Sequence, residues 1–175
     1  MELRPGRVLL TEREIAERVQ ELARVISRDY QGRDLLLVCI LKGAAVFWAD
    51  LSRLIEVPHE SDFVALSSYG PGTESSREIK FEHDLSTEIA NRDVLIIEDI
   101  VDTGHTLKCL REALEARRPR SLKICVLLDK AERREVKLSL EYVGFVIPNE
   151  FVVGYGLDFA QKYRHLPFIA VLTRS

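Results

Sequence analysis

The sequence predicts an α/β protein with a central, mostly parallel sheet flanked by helices and a small C-terminal hood. Three observations carry this. Residues 35–40 and 94–97 are continuous apolar runs, too short for helices and too unbroken for one-sided strands, so they read as strands buried on both faces, and residues 122–128, apolar but for Lys123, read as another strand. Between them lie segments whose apolar residues recur at three and four positions, the spacing of an amphipathic helix. From about residue 136 onward the strand-like runs follow one another with no helix between, which breaks the alternation and suggests a hood.

The first helix is expected at residues 12–28. Thr11-Glu12-Arg13-Glu14 is a capping-box sequence, and Ile15, Val19, Leu22 and Ile26 follow at helical spacing. Gln31-Gly32 leads into the strand at 35–40, which ends at Leu41-Lys42-Gly43. A second helix follows over 44–55, with Val46, Phe47, Leu51, Leu54 and Ile55 apolar. Residues 63–66 form a further strand. Residues 67–76 are so rich in Ser, Gly and Pro that they read as a long loop before the alternating strand at 79–82. The strand at 94–97 is expected to end at Glu98 and Asp99, and Leu107, Leu110, Arg111 and Leu114 mark a helix over 107–116. The strand at 122–128 closes the alternating part, with Asp129-Lys130 at its carboxyl end. Residues 142–145, 151–155 and 168–172 are the strands assigned to the hood.

With 175 residues, the chain reads as one domain, its core at about 12–135 and its hood at about 136–175 together with the N-terminal segment. Its 25 basic and 28 acidic side chains give a net charge of −3, which argues against nucleic acid as the main partner. Cys39, Cys109 and Cys125 lie in apolar stretches without metal-ligand spacing and read as buried thiols in a reducing compartment. No signal-peptide core and no membrane-length apolar run is present, so a cytoplasmic protein without membrane contact is expected.

Residues 94–106 are the most informative stretch. They read as strand, acidic turn and helix. A turn entering a helix offers free N–H groups and the positive end of the helix dipole, which suits a phosphate. Gly104 allows close approach, and Thr103 and Thr106 add donors. The carboxylates before the turn suit ribose hydroxyls, or a magnesium ion with its waters. A sugar phosphate satisfies both halves. A plainer account makes Asp102 a helix N-cap and Glu98 and Asp99 ordinary strand-end acids. Parallel sheets bind ligands beyond the carboxyl ends of their strands, and Lys42, Glu98, Asp99, Asp102 and Lys130 all fall on that edge.

This stretch resembles the phosphoribosyl-pyrophosphate (PRPP) motif of type I phosphoribosyltransferases: an apolar run, Glu-Asp, two apolar residues, Asp-Thr-Gly, one variable residue and Thr. The resemblance extends to Leu41-Lys42-Gly43, Ser68-Tyr69-Gly70, Leu128-Asp129-Lys130 and the run from Phe151 to Arg164. It is specific for the bacterial hypoxanthine(-guanine) phosphoribosyltransferases over nearly the whole chain. Ala44 stands where many relatives have a second glycine. The resemblance implies the type I phosphoribosyltransferase fold and transfer of phosphoribose from PRPP to N9 of hypoxanthine or guanine, with Mg²⁺, in a homo-oligomer, dimer or tetramer. It implies pyrophosphate binding by Lys42, Gly43 and Arg164, and a lid begun by Ser68 and Tyr69. Glu98 and Asp99 would hold ribose and metal, and Asp158 would hold metal through pyrophosphate. Asp102 would act as general acid/base at the purine N7, and Thr103, Gly104, His105 and Thr106 would cradle the 5′-phosphate. Lys130 would meet the 6-oxo group, Phe151 would stack on the base, and the backbone of Val152 would bond its edge. Some proteins of this fold are regulators that bind PRPP or RNA without catalysis. The acidic charge, the absence of an added DNA-binding helix pair, and the intact Asp102, Lys130 and Asp158 count against that alternative.

Overall fold

The computed structural model describes residues 3–68 and 78–174. In chain order the elements are β1 (Leu3–Leu10), α1 (Glu12–Asp29), β2 (Leu35–Leu41), α2 (Ala45–Leu54), β3 (His59–Ser68) and β4 (Ile79–His83). They continue with β5 (Asp93–Val101), α3 (His105–Glu115), β6 (Ser121–Asp129), β7 (Tyr142–Val146), β8 (Val152–Val153) and β9 (Ile169–Arg174). Six strands form the main sheet in the order β4-β3-β2-β5-β6-β7, parallel throughout except where β4 returns against β3. A separate antiparallel sheet, β1-β9-β8, makes the hood.

The apolar runs work as expected because alternate residues of a strand serve opposite faces. Leu35, Leu37, Leu95 and Ile97 pack with Ile15, Val19, Leu22 and Ile26 of α1 and with Phe47 and Leu51 of α2. Leu36, Val38, Val94 and Ile96 turn the other way, toward Leu107, Leu110 and Leu114 of α3. Each such side chain taken out of water contributes roughly 1.5–3 kcal/mol. The Thr11–Glu14 capping box is formed, with the Thr11 hydroxyl accepting from the Glu14 N–H at 3.2 Å and the Glu14 carboxylate accepting from the Thr11 N–H at 2.8 Å.

Three expectations need correction. β5 does not end at Glu98 and Asp99 but runs through them to Val101, because its backbone keeps pairing with β6 whatever charge the side chains carry. Residues 142–145 belong to the main sheet and not to the hood: β7 extends β6 in parallel, reached by a connection without an α-helix. Cys39 and Cys125 are buried, whereas Cys109 is only partly so, since it lies on the flank of α3 beside the apolar stripe.

The chain runs from β2 outward to β3, then crosses back to β5 on the other side of β2. The sheet order therefore reverses between β2 and β5. Ligands of open α/β sheets bind at such a switch point.

Candidate active site

At the carboxyl end of β2 the Leu41–Lys42 peptide is cis, and Gly43 follows. A Cβ on Gly43 would stand 1.9 Å from Oδ2 of Asp99 on the neighbouring strand, so only glycine lets this loop lie against the acids of β5. The hood presses on the same loop. Gly156, at φ 97°, is packed so closely that a Cβ would meet the Gly43 carbonyl oxygen at 2.2 Å. This contact brings the C-terminal cations to the Lys42–Gly43 loop. Gln161 Oε1 accepts from Lys42 Nζ at 3.3 Å and from Arg164 Nη2 at 3.2 Å. Arg164 also donates to the Gly156 carbonyl at 2.7 Å and pairs with Asp158 at 3.1 Å. The Asp158 carboxylate accepts the Gln161 N–H at 2.8 Å.

Beyond β5 the chain turns through Asp102 and Thr103 into α3. Gly104 is the N-cap, left-handed at φ 91°, with no side-chain cap bond. Asp102 is thus not the helix cap. Its carboxylate instead accepts from Arg133 Nε at 3.0 Å. Glu98 and residues 100–107 line a cavity of about 270 Å³. Like every helix, α3 leaves its first-turn N–H groups without intrahelical acceptors, and this cavity lies at that end. His105 at the rim bonds Glu135 Oε2 through Nε2 at 2.7 Å.

Glu98 and Asp99 are partly buried beside each other, and neither makes an ion pair with a described residue. Desolvation, with the Asp99 charge second, holds the Glu98 carboxyl well above its ordinary range. Desolvation also raises Asp99, partly offset by hydrogen bonds from Glu98 and from the Ile100 N–H, and by the charge of Arg164. With no ion pair to a described residue, the two acids could receive a cation or hydroxyl donors.

Lys130, at the end of β6, is 7% exposed. Its backbone N–H donates to the Val101 carbonyl at 3.0 Å, but its ammonium has no hydrogen bond or ion pair with the described residues. The stem is buried while the ammonium still reaches solvent, so the nitrogen is open to an acceptor supplied from outside. Phe151, by contrast, is 56% exposed, with Phe159 edge-on at 6.0 Å. Val152 is buried in β8, paired with Val171. Ser68 ends β3; its side chain, and Tyr69 with the rest of the expected lid to Ser76, lie outside the described residues.

Residues 8–160 match the family model described as phosphoribosyl transferase domain. The hypoxanthine phosphoribosyltransferases of Salmonella typhimurium and Escherichia coli are each 52% identical over 164 residues, covering 93% of this chain and 92% of theirs. A crystal structure of a hypoxanthine phosphoribosyltransferase from Staphylococcus aureus is 48% identical. It superposes with a TM-score of 0.93, over 97% of this chain and 92% of that one. The chain belongs to the phosphoribosyltransferase family.

Seen as a phosphoribosyltransferase, the molecule gathers Lys42, Gly43, Glu98, Asp99 and Arg164 at the switch point, with the Asp102–Thr106 turn beside them. Sequence reasoning missed Gln161, Gly156, Arg133 and Arg134. Gln161 and Gly156 carry one visible signal, a place within the run from Phe151 to Arg164. Positive φ at Tyr155, Gly156, Ala160, Gln161 and Tyr163 shows how tightly that run is folded, which no periodicity announces. Arg134 binds the Asp129 carboxylate, reaches the Asp102 carbonyl at 3.4 Å, and lies across Gly104, where a Cβ would meet its Cδ at 2.9 Å.

Proposed function

We propose that this phosphoribosyltransferase joins the 5-phosphoribosyl group of PRPP to N9 of hypoxanthine or guanine, a purine-salvage step that yields IMP or GMP and pyrophosphate. The observation that carries the reading is the largely buried Lys130, whose ammonium has no partner among the described residues, standing on one sheet edge with Glu98 and Asp99, which make no ion pair with those residues either. One feature suits the oxo group of a base; the other suits a ribose or its metal.

In this reading N9 attacks C1 of the ribose, pyrophosphate leaves with the bonding pair, and the N7 proton passes to Asp102. Thr103, Gly104, His105 and Thr106 hold the 5′-phosphate at the start of α3. Lys42, Gly43 and Arg164 hold the leaving group, whose growing charge they offset. Lys130 donates to the 6-oxo oxygen, Phe151 stacks on the ring, and the backbone of Val152 bonds its edge. Ser68 and Tyr69 begin the lid that keeps water from the reacting sugar.

The donor set fits magnesium. The described residues contain no group of three or more His, Cys, Asp or Glu arranged to hold an ion, and magnesium is usually held by one or two carboxylates together with substrate phosphates. Glu98 and Asp99 would hold it on the ribose side and Asp158 through pyrophosphate, where it would neutralise leaving-group charge. Cytoplasmic location and assembly as a homo-oligomer, dimer or tetramer, belong to the same reading. Among the described residues no helix is long and apolar enough to cross a membrane.

Pyrophosphate release from PRPP, measured with hypoxanthine, guanine, xanthine and adenine in turn, tests the proposal. Release is expected with the first two and not with adenine. No release with any base would overturn it.

A further inference from the structure

The short 3₁₀ turn Ala131–Arg133 and the residue after it grip Asp102 at both ends, and no role given above accounts for this. Arg133 Nε donates to Oδ1 of the Asp102 carboxylate at 3.0 Å, and Arg134 Nε reaches the Asp102 carbonyl at 3.4 Å. The turn is anchored in its own right. Arg134 is bound to Asp129, the Glu135 N–H donates to the Thr103 carbonyl at 3.0 Å, and the Arg133 N–H donates to the Lys130 carbonyl at 2.9 Å. Residues 130–135 are in effect zipped along residues 101–103.

The Arg133–Asp102 pair is half-exposed on both sides, at 45% and 46%. Pairs so open to water contribute little to stability, so their worth has to be sought in geometry. Only Oδ1 is engaged; Oδ2 has no partner among the described residues. A carboxylate that takes a proton on one oxygen acts best when rotation about its terminal bond is stopped, because a misplaced acceptor forfeits much of the rate.

We propose that Arg133 is a positioning residue for proton transfer: it holds Oδ1 of Asp102 so that Oδ2 is presented to the purine. The proposal rests on the assignment of Asp102 as the proton carrier. The same turn begins at Lys130, which is read as the contact to the 6-oxo group. The seat of the base and the hold on its proton acceptor therefore move as one unit.

The test is a double-mutant cycle. Arg133→Met keeps the stem and removes the donors; kcat with hypoxanthine should fall roughly three- to thirtyfold while KM for PRPP changes by less than about twofold. Arg133→Lys, which restores one donor, should recover part of the loss. Because Arg133 acts through Asp102, Arg133→Met combined with Asp102→Asn should be no slower than Asp102→Asn alone. A merely structural arginine would shift thermal stability or KM and would multiply with Asp102→Asn. The proposal is overturned if Arg133→Met turns over at the wild-type rate, or if the two losses multiply. When Asp102→Asn is slow and Arg133→Met is normal, the proposal alone fails. When Asp102→Asn turns over normally, the assignment of Asp102 fails and the proposal with it.

Discussion

Asp93 opens β5 and the Glu98–Asp99 pair lies toward its carboxyl end, and the protein treats them in opposite ways. Asp93 is fully buried, yet it accepts from the Ser121 hydroxyl at 2.7 Å and has Arg120 at 3.1 Å and Arg33 at 3.7 Å. Glu98 and Asp99 are less buried and have each other for company, with no cation at ion-pair distance among the described residues. At one end the fold supplies cations, although Oδ2 of Asp93 has Arg120 at ion-pair distance and no hydrogen bond among the described residues. At the other it supplies no ion pair from those residues, which suits the ligand proposed above. Along β5, burial by itself does not tell these acids apart; the cations facing them do.

Chemistry at the open end should show the largest effect. Asp102→Asn keeps shape and hydrogen bonding but takes no proton, so kcat should fall by roughly 10²–10⁴-fold with PRPP affinity nearly unchanged. Steady-state kinetics with a PRPP titration would show this, and normal turnover would make Asp102 an ordinary loop acid. Next comes Lys130→Met. A protonated lysine only donates, which suits a 6-oxo group and opposes the 6-amino group of adenine. The ratio of kcat/KM for hypoxanthine over adenine should drop by about tenfold to a few hundredfold, the equivalent of about 1.5–3 kcal/mol. An unchanged ratio would show that Lys130 does not read the base.

The closed end should answer in stability and not in rate. Asp93→Asn keeps a partner for Ser121 but strips the charge facing Arg33 and Arg120. Both arginines can turn to solvent, so the cost should be about 1–3 kcal/mol in denaturant unfolding, with kcat unaltered. A matching loss of activity would join the two ends that the structure separates. The smallest effect has the reverse sign. Glu98→Gln removes a carboxylate whose charge the fold resists, and should raise the melting temperature of the free protein by about 2–4 °C, or about 1 kcal/mol for a chain of this size, while weakening PRPP binding.

Some of this was open to inspection in the sequence, and the reasons are specific. β2, β5 and β6 are legible because strands buried on both faces need long apolar stretches, and α1 because its cap and its stripe agree. The end of β5 is not legible, because two charges suggest a stop where only backbone pairing sets one. β7 reads as hood because a connection without an α-helix hides a parallel crossover. The glycine of Lys42-Gly43 was visible as a turn, but its reason, the Asp99 carboxylate lying where a Cβ would go, depends on a strand far along the chain. Arg133 was invisible for the same cause. An arginine in a charged segment looks solvated until the fold sets it against Asp102.

The open end also gives the molecule a pH signature. Glu98 in the folded chain binds its proton more tightly than in the unfolded chain, so the native state holds more protons from the ordinary value of 4.5 upward to its raised value. Stability of the free protein should therefore fall as pH rises through that window, and Glu98→Gln should flatten the fall.

Ligand binding should reverse the protonation, since a cation or its hydrated form favours the ionised pair. Calorimetric titration of magnesium and PRPP at a series of pH values upward from the ordinary carboxyl range, each repeated in buffers of different ionisation enthalpy, counts the protons released. The substrate's own ionisation cancels between variants. Wild type should release more protons per site than Glu98→Gln. Equal release from the two proteins would mean that the acids at the carboxyl end of β5 are not waiting for the sugar and its metal.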